Sequence, residues 1–249
     1  MSTEVRTQSN NMPMGFDDSD TADDVSIPRV RLVQSLSPDR KNGAEEGDVI
    51  NSLTKAKYNG KAFVPVFKFN SNVEWAPRSD GGGIVCQARD GKNAVTSAGE
   101  VRTCATCRRC EFQNIPGQKS KAPDCTKYIN FFGFFEEDLS PIILSFSKTS
   151  YNEGKRLYSI MKLSMQNMWN NSYKIDSKVK SSGANEWYIL TGTVNEPTSE
   201  ETRKLAANLY KMYSANAIVR EAEVPETTIV DDGAGFATVT EAAEEELPF

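Results

Sequence analysis

The chain has 249 residues, 38% hydrophobic, 25% charged and 9% aromatic, enough apolar material for a folded core of one or two domains. It contains no histidine, which removes Ser-His-Asp, Cys-His and imidazole general-base chemistry together. The formal net charge of -5 conceals opposites: residues 1–26 carry one base against six acids, 27–220 carry 28 bases against 19 acids, and 221–249 carry nine acids and no base.

Residues 1–26 are polar and aperiodic, and are expected to be disordered because they bury too little apolar surface to offset the entropy of ordering. Ile27, Val30, Leu32 and Val33 predict a first strand ending at Ser37-Pro38, and Val49 to Leu53 a second, after the turn residues Asn42-Gly43 and Gly47-Asp48. A stronger strand is predicted from Ala62 to Phe69, where Pro65, lacking an N–H, suggests a sheet edge. Val73 to Ala76 and Gly83 to Ala88 read as short strands. Residues 90–127 hold Gly, Lys, Arg, Pro and cysteines with little apolar content, so burial alone cannot fold them. Strand pattern returns at Tyr128 to Phe135 and Ile142 to Phe146.

Two capping boxes predict helices: Ser150 with Glu153 ahead of Leu157, Ile160, Met161, Met165 and Met168, and Thr198 with Glu201 ahead of Leu205, Leu209 and Met212. Between them, Tyr173 to Val179 and Glu186 to Val194 form a hairpin about Ser181-Ser182-Gly183. Many short strands with one helix inserted late predict a mainly β, barrel-like fold with two helices. The expected organisation is a disordered acidic tail over 1–26, a core over 27–220 with a cysteine loop at about 86–127, and a disordered acidic tail over 221–249. No apolar run long enough to span a bilayer and no apolar leader is present, so a cytoplasmic protein without a membrane partner is expected.

Cys104, Cys107 and Cys110 form two successive C-x-x-C steps, with Cys86 before them and Cys125 after. A C-x-x-C turn points two thiolates at one ion, and remote cysteines complete a tetrahedral set, so the pattern points to structural Zn2+. Their neighbours Thr103, Thr106, Arg108 and Arg109 are polar, unlike the surroundings of core thiols, and disulfides are disfavoured in a cytosolic chain. Four of the five suffice. One C-x-x-C pair with two remote cysteines is the more usual arrangement, which favours Cys86, Cys107, Cys110 and Cys125 over a set that includes Cys104. A ferredoxin-like iron-sulfur run would need a cysteine where Asn114 stands, and a catalytic zinc site would ordinarily use histidine. Gly60-Lys61, Gly91-Lys92 and Gly154-Lys155 lack the earlier glycine of a phosphate loop. A binder without a small-molecule substrate is expected rather than an enzyme.

Binding a flexible nucleic-acid strand needs cations along the phosphates and aromatic faces under the bases. Alternation puts Tyr128, Phe132 and Phe134 on one face of their strand, beside Lys127, and Phe131 and Phe135 on the other. That pattern allows one face as core and the other as a stacking platform, or burial of both. Between residues 148 and 180, Lys148, Lys155, Arg156, Lys162, Lys174, Lys178 and Lys180 face only Glu153 and Asp176, interleaved with Tyr151, Trp169 and Tyr173. Trp75 with Arg78, and Arg108 with Arg109, extend the candidate contact set. A basic core of this kind attracts polyanions, for which the acidic tails compete.

The final residues Glu244, Glu245, Glu246, Leu247, Pro248 and Phe249 resemble the acidic tip of bacterial single-stranded DNA-binding proteins. That resemblance implies a docking peptide for replication, recombination or transcription proteins, with Phe249 as anchor, Leu247 and Pro248 giving shape and the three glutamates the electrostatic part. The remainder is similar to phage-encoded single-stranded DNA-binding proteins, through Gly81-Gly82-Gly83, the cysteine loop and Ser147-Lys148-Thr149-Ser150. This similarity implies an oligonucleotide-binding (OB) barrel carrying a zinc loop, with single-stranded DNA as the partner, inside an infected bacterial cell. Two other classes remain open: a zinc-ribbon transcription factor or polymerase cofactor using Arg108 and Arg109, and a metal-dependent nuclease or recombination enzyme.

Overall fold

A computed structural model describes residues 26–77, 79, 82–112, 121–183 and 185–214. Arg78, Gly81, Asn114 and the whole of 221–249, including Glu244 to Phe249, lie outside the described residues, as do residues 1–25.

The chain folds as a mainly β structure with two α-helices. In order, its elements are β1 (Val30–Leu32), β2 (Val49–Asn51), β3 (Lys61–Trp75), β4 (Ile84–Ala88), β5 (Asn93–Thr96), β6 (Val101–Thr103), β7 (Cys125–Phe135) and β8 (Pro141–Ser147). Then come α1 (Tyr151–Leu163), β9 (Asn171–Ser182), β10 (Asn185–Pro197) and α2 (Glu200–Tyr213). β1 pairs with β2, and β3 to β10 form one eight-stranded sheet.

β3 is the spine of that sheet. One side pairs with β7 from Phe63↔Phe135 to Glu74↔Cys125. The other side pairs with β9 over Lys61 to Phe63 and with β4 over Asn72 to Trp75, so the sheet forks into a β9–β10 arm and a β4–β5–β6 arm. The two strands predicted around Phe69 and Val73 are thus one. Pro65 does not mark an edge: it lies opposite Gly133 at a register shift, where a residue without an N–H costs the ladder least.

Cross-strand partners share a face, and both faces of the central strands are buried. One face carries Phe63, Phe131, Phe135, Leu144, Phe146, Tyr173 and Ile175 under Leu157 and Met161 of α1. The other carries Val64, Phe67, Phe69, Phe132, Phe134 and Ile143 under Ala206 and Leu209 of α2. α1 does not start with the expected capping box, because the buried Ser150 Oγ accepts a hydrogen bond from Leu190 N of β10 at 3.0 Å. α2 is capped one residue later than expected: Ser199 Oγ accepts from Thr202 N at 3.1 Å, while Thr198 Oγ1 donates to Trp169 O at 2.6 Å.

The ladder does not close into a barrel, since β8 and β10 each end a branch of the pairing path. Residues 28–34 span the interval between those edges. Ile143 N of β8 donates to Pro28 O at 2.9 Å, and at the other end the Gln34 side-chain amide stands in for a peptide group. It donates to Tyr188 O of β10 at 2.7 Å and accepts from Tyr188 N at 3.0 Å. Among the described residues, no helix is long and apolar enough to cross a membrane.

Candidate functional site

Beyond Phe67, the α1-side face of β3 turns polar, with Lys68, Asn70, Asn72 and Glu74 at every second position. At its far end the ladder places Cys125, Glu74, Cys86 and Thr96 side by side across β7, β3, β4 and β5. Above this row the two C-x-x-C steps form successive one-turn 3-10 segments, in which Cys107 N donates to Cys104 O at 3.2 Å and Cys110 N to Cys107 O at 3.0 Å. Cys104 N is tied to Lys92 O at 2.7 Å. The result is one small cavity lined by all five cysteines together with Asn72, Glu74, Ala94, Arg102 and Arg109.

The cavity is electrostatically specific. Glu74 is buried beside the thiols, and its carboxylate accepts a hydrogen bond from the Arg109 guanidinium. Burial pushes the Cys125 thiol up to about 11 and the Cys110 thiol still higher, and Cys110 donates its S–H to Cys125. Burial and the Glu74 carboxylate also raise Cys86. Among the described residues no group of three or more Cys, Asp or Glu side chains is arranged to hold an ion. The donor set suits a thiophilic ion, which would require the side chains to contract about it. The sequence favoured a set without Cys104, but the structure brings Cys104 to the same cavity as the other four.

The arm bearing these cysteines has almost no core of its own. From residue 84 to 125, the buried apolar side chains among the described residues are Ala88, Ala94, Cys110 and Cys125, while Val95 and Val101 are exposed. β5 and β6 were not predicted, because a strand built of Asn93, Thr96, Arg102 and Thr103 carries little apolar alternation.

The candidate nucleic-acid residues separate into three groups. Phe132 and Phe134 are fully buried under α2, so neither can stack on a base, which corrects the expected platform. Trp169 packs 5.6 Å from Tyr210 of α2, between ring centroids, and Arg156 is held by Glu153 at 2.8 Å and Gly192 O at 2.6 Å, so both have structural work. Lys174 and Lys178 are exposed on β9, but alternation from the buried Ile175 puts them on the face opposite α1. Trp75 and Tyr128 are half-buried on that same opposite face. Arg108 and Lys148 are exposed on one-turn 3-10 segments, and Arg109 is committed to Glu74.

The third group lies together on the α1 face. Tyr151, Lys155, Tyr158 and Lys162 recur at helical spacing along one flank of α1, and Glu153 and Arg156 take the other flank, against β10. The lysine flank faces β3, where Lys68 Nζ sits 4.9 Å from the centroid of the Tyr158 ring, and Lys155 Nζ sits 5.7 Å from that of Tyr151. Burial lowers the pKa of Lys68. Lys127, paired with Asn72, is exposed farther along the same sheet face. Among the described residues, Lys68, Lys127, Lys155 and Lys162 pair with no carboxylate. Sequence reading missed Lys68 and Tyr158. The signal was present in the i, i+4, i+7, i+11 spacing of the two tyrosines and two lysines.

The family model described as Pam3 phage gp34-like protein matches residues 2–219. No curated protein and no solved structure matches the chain.

Proposed function

Since the chain belongs to the Pam3 phage gp34-like protein family, we propose that it works in a phage-infected cell as a sequence-tolerant single-stranded DNA-binding protein of replication or recombination. The observation that carries the reading is the α1-side face, where unpaired lysines alternate with half-buried tyrosines, the combination that single strands require. An open sheet whose β8 and β10 edges are bridged by residues 28–34 supports treating the core as a variant of the OB barrel. The five-cysteine cavity supports a structural Zn2+ that braces the β4–β6 arm, with four thiolates as ligands. No catalytic step is assigned to the protein.

Titrating the full-length protein with single-stranded and duplex DNA of equal length tests the reading. Tighter binding to the single strand is expected, with affinity falling steeply as salt rises because counterions are released from the phosphates. Equal or tighter binding to duplex would overturn it in favour of a zinc-ribbon transcription factor, and Mg2+-dependent cleavage of either substrate would favour a nuclease.

The C-terminal segment Glu244 to Phe249 lies outside both the described residues and the matched span, and its proposed role is to recruit partner proteins. We further infer that this segment, with nine acids and no base, competes for the basic core. Deleting residues 231–249 is expected to raise DNA affinity at low salt, with the difference shrinking as salt screens both interactions. Phe249→Ala should abolish recruitment of host or phage replication proteins in a pull-down and leave DNA affinity unchanged. Unaltered low-salt affinity after the deletion would refute the competition.

A further inference from the structure

The geometry points to a defined track for the strand. We propose that single-stranded DNA lies along the Tyr151–Lys155–Tyr158–Lys162 flank of α1 and crosses the adjoining sheet face past Lys68 and Lys127, an assignment that rests on the single-strand reading above.

Three observations converge on this surface. The flank carries no acid: the one carboxylate of α1, Glu153, is on the other side of the helix and paired there with Arg156. Helical rise spaces the two tyrosines about 10 Å apart, so each ring can serve a different base while the lysines between and beyond them meet phosphates. Both rings are half-buried with a lysine Nζ over them, which fixes their orientation while leaving part of each ring accessible.

The sheet then continues the track. Asn70 is exposed on the α1-side face of β3 between Lys68 and Asn72, and Lys127 stands on the neighbouring strand. From Lys68 to Asn72 is about 13 Å at strand rise, and the cysteine cavity lies just beyond, beside Glu74. The proposed metal would therefore hold the wall at the far end of the track. On the opposite face α2 covers Phe132 and Phe134, and Lys174 and Lys178 lie out on β9, away from that helix.

The test uses the full-length protein and fluorescein-labelled oligothymidylate, read by anisotropy over a range of salt. Lys155→Gln with Lys162→Gln replaces two exposed side chains and leaves the fold intact. It is expected to weaken binding at least tenfold at low salt and to make the slope of log K against log salt shallower by about 1.4, the share of two phosphates on a single strand. Tyr151→Leu with Tyr158→Leu keeps the packing against the core but removes the ring faces, and is expected to weaken binding tenfold or more with the salt slope unchanged. Thermal melting of each variant identifies loss of fold. Lys178→Gln with Lys180→Gln, on the opposite face of β9, is the comparison and should leave binding within about twofold apart from a small general charge effect.

If the wild-type protein binds and the α1 variants bind as tightly, the track is wrong and the single-strand function stands. If the loss follows Lys178 and Lys180 instead, the strand lies on the other face and the track is likewise overturned. If the tyrosine pair alone has no effect, the stacking assignment falls. If the wild type does not bind the oligonucleotide at all, the function falls and the track with it.

Discussion

Stripping the proposed zinc ion from the full-length protein is expected to unfold the β4–β6 arm while the β3–β7–β8 centre stays folded. The two regions are held by different forces. The centre buries Phe63, Phe131, Phe132, Phe134, Phe135 and Phe146 completely, and each large side chain so buried contributes roughly 1.5–3 kcal/mol. The arm buries little besides Ala88, Ala94 and two cysteines among its described residues, and in the proposed reading closure around a metal supplies what an apolar core would. Structural zinc contributes on the order of 10–16 kcal/mol in small thiolate sites at neutral pH, far more than the arm's own burial.

Hydrogen exchange with and without a strong chelator reads the effect segment by segment. Protection should vanish across residues 84–110 and persist across 129–146. Cys110→Ser and Cys125→Ser, which remove the two most buried thiols, should reproduce the chelator's effect. Cobalt substitution should give thiolate charge-transfer absorption that either serine variant abolishes. A purified sample containing neither zinc nor another thiophilic metal, with the arm fully protected, would refute the metal site.

Replacing Phe132 with Ala should cost about 3–5 kcal/mol of stability, the usual loss for deleting a buried aromatic ring from a core. The ring is fully buried, stacks on Phe67 at 4.8 Å between centroids with the planes 16° apart, and lies 5.1 Å from Tyr213 of α2. Its removal leaves a cavity between sheet and helix that neither can easily fill, because β3 and β7 are hydrogen-bonded to each other from Phe63↔Phe135 to Glu74↔Cys125. A loss of this size is a large share of the roughly 5–15 kcal/mol that holds an ordinary domain together, so a clear drop in Tm is expected. Per folded molecule, DNA affinity should not change. A variant that melts like the wild type and loses DNA binding would restore Phe132 to a stacking role and contradict its burial.

Several properties of this protein follow from its sequence alone. The absence of histidine, the separation of a basic centre from acidic ends and the C-x-x-C steps are matters of composition and spacing, and no folding can alter them. Most strands were legible too, because residues such as Ile142 to Phe146 and Tyr173 to Val179 carry their β-propensity locally.

What covers each strand face was decided only in three dimensions. The Phe131 to Phe135 run alternates in a way equally suited to one buried face or two, and the outcome depends on α2, which packs on it from more than sixty residues farther along the chain. Ser150 reads as a helix cap until β10 comes close enough for Leu190 N to claim its hydroxyl. The cysteine cavity likewise exists because β7, β3 and β4 align Cys125, Glu74 and Cys86 in one row, so Cys104 joins a site from which spacing alone had left it out. Lys68 and Tyr158 stand ninety residues apart in sequence, and they become neighbours only because the core side of α1 is buried on the sheet, which swings its lysine flank over β3. Local pattern states which side chains can share a face. Long-range packing selects the partner for that face, because the free energy of burial depends on total area removed from water and not on sequence distance.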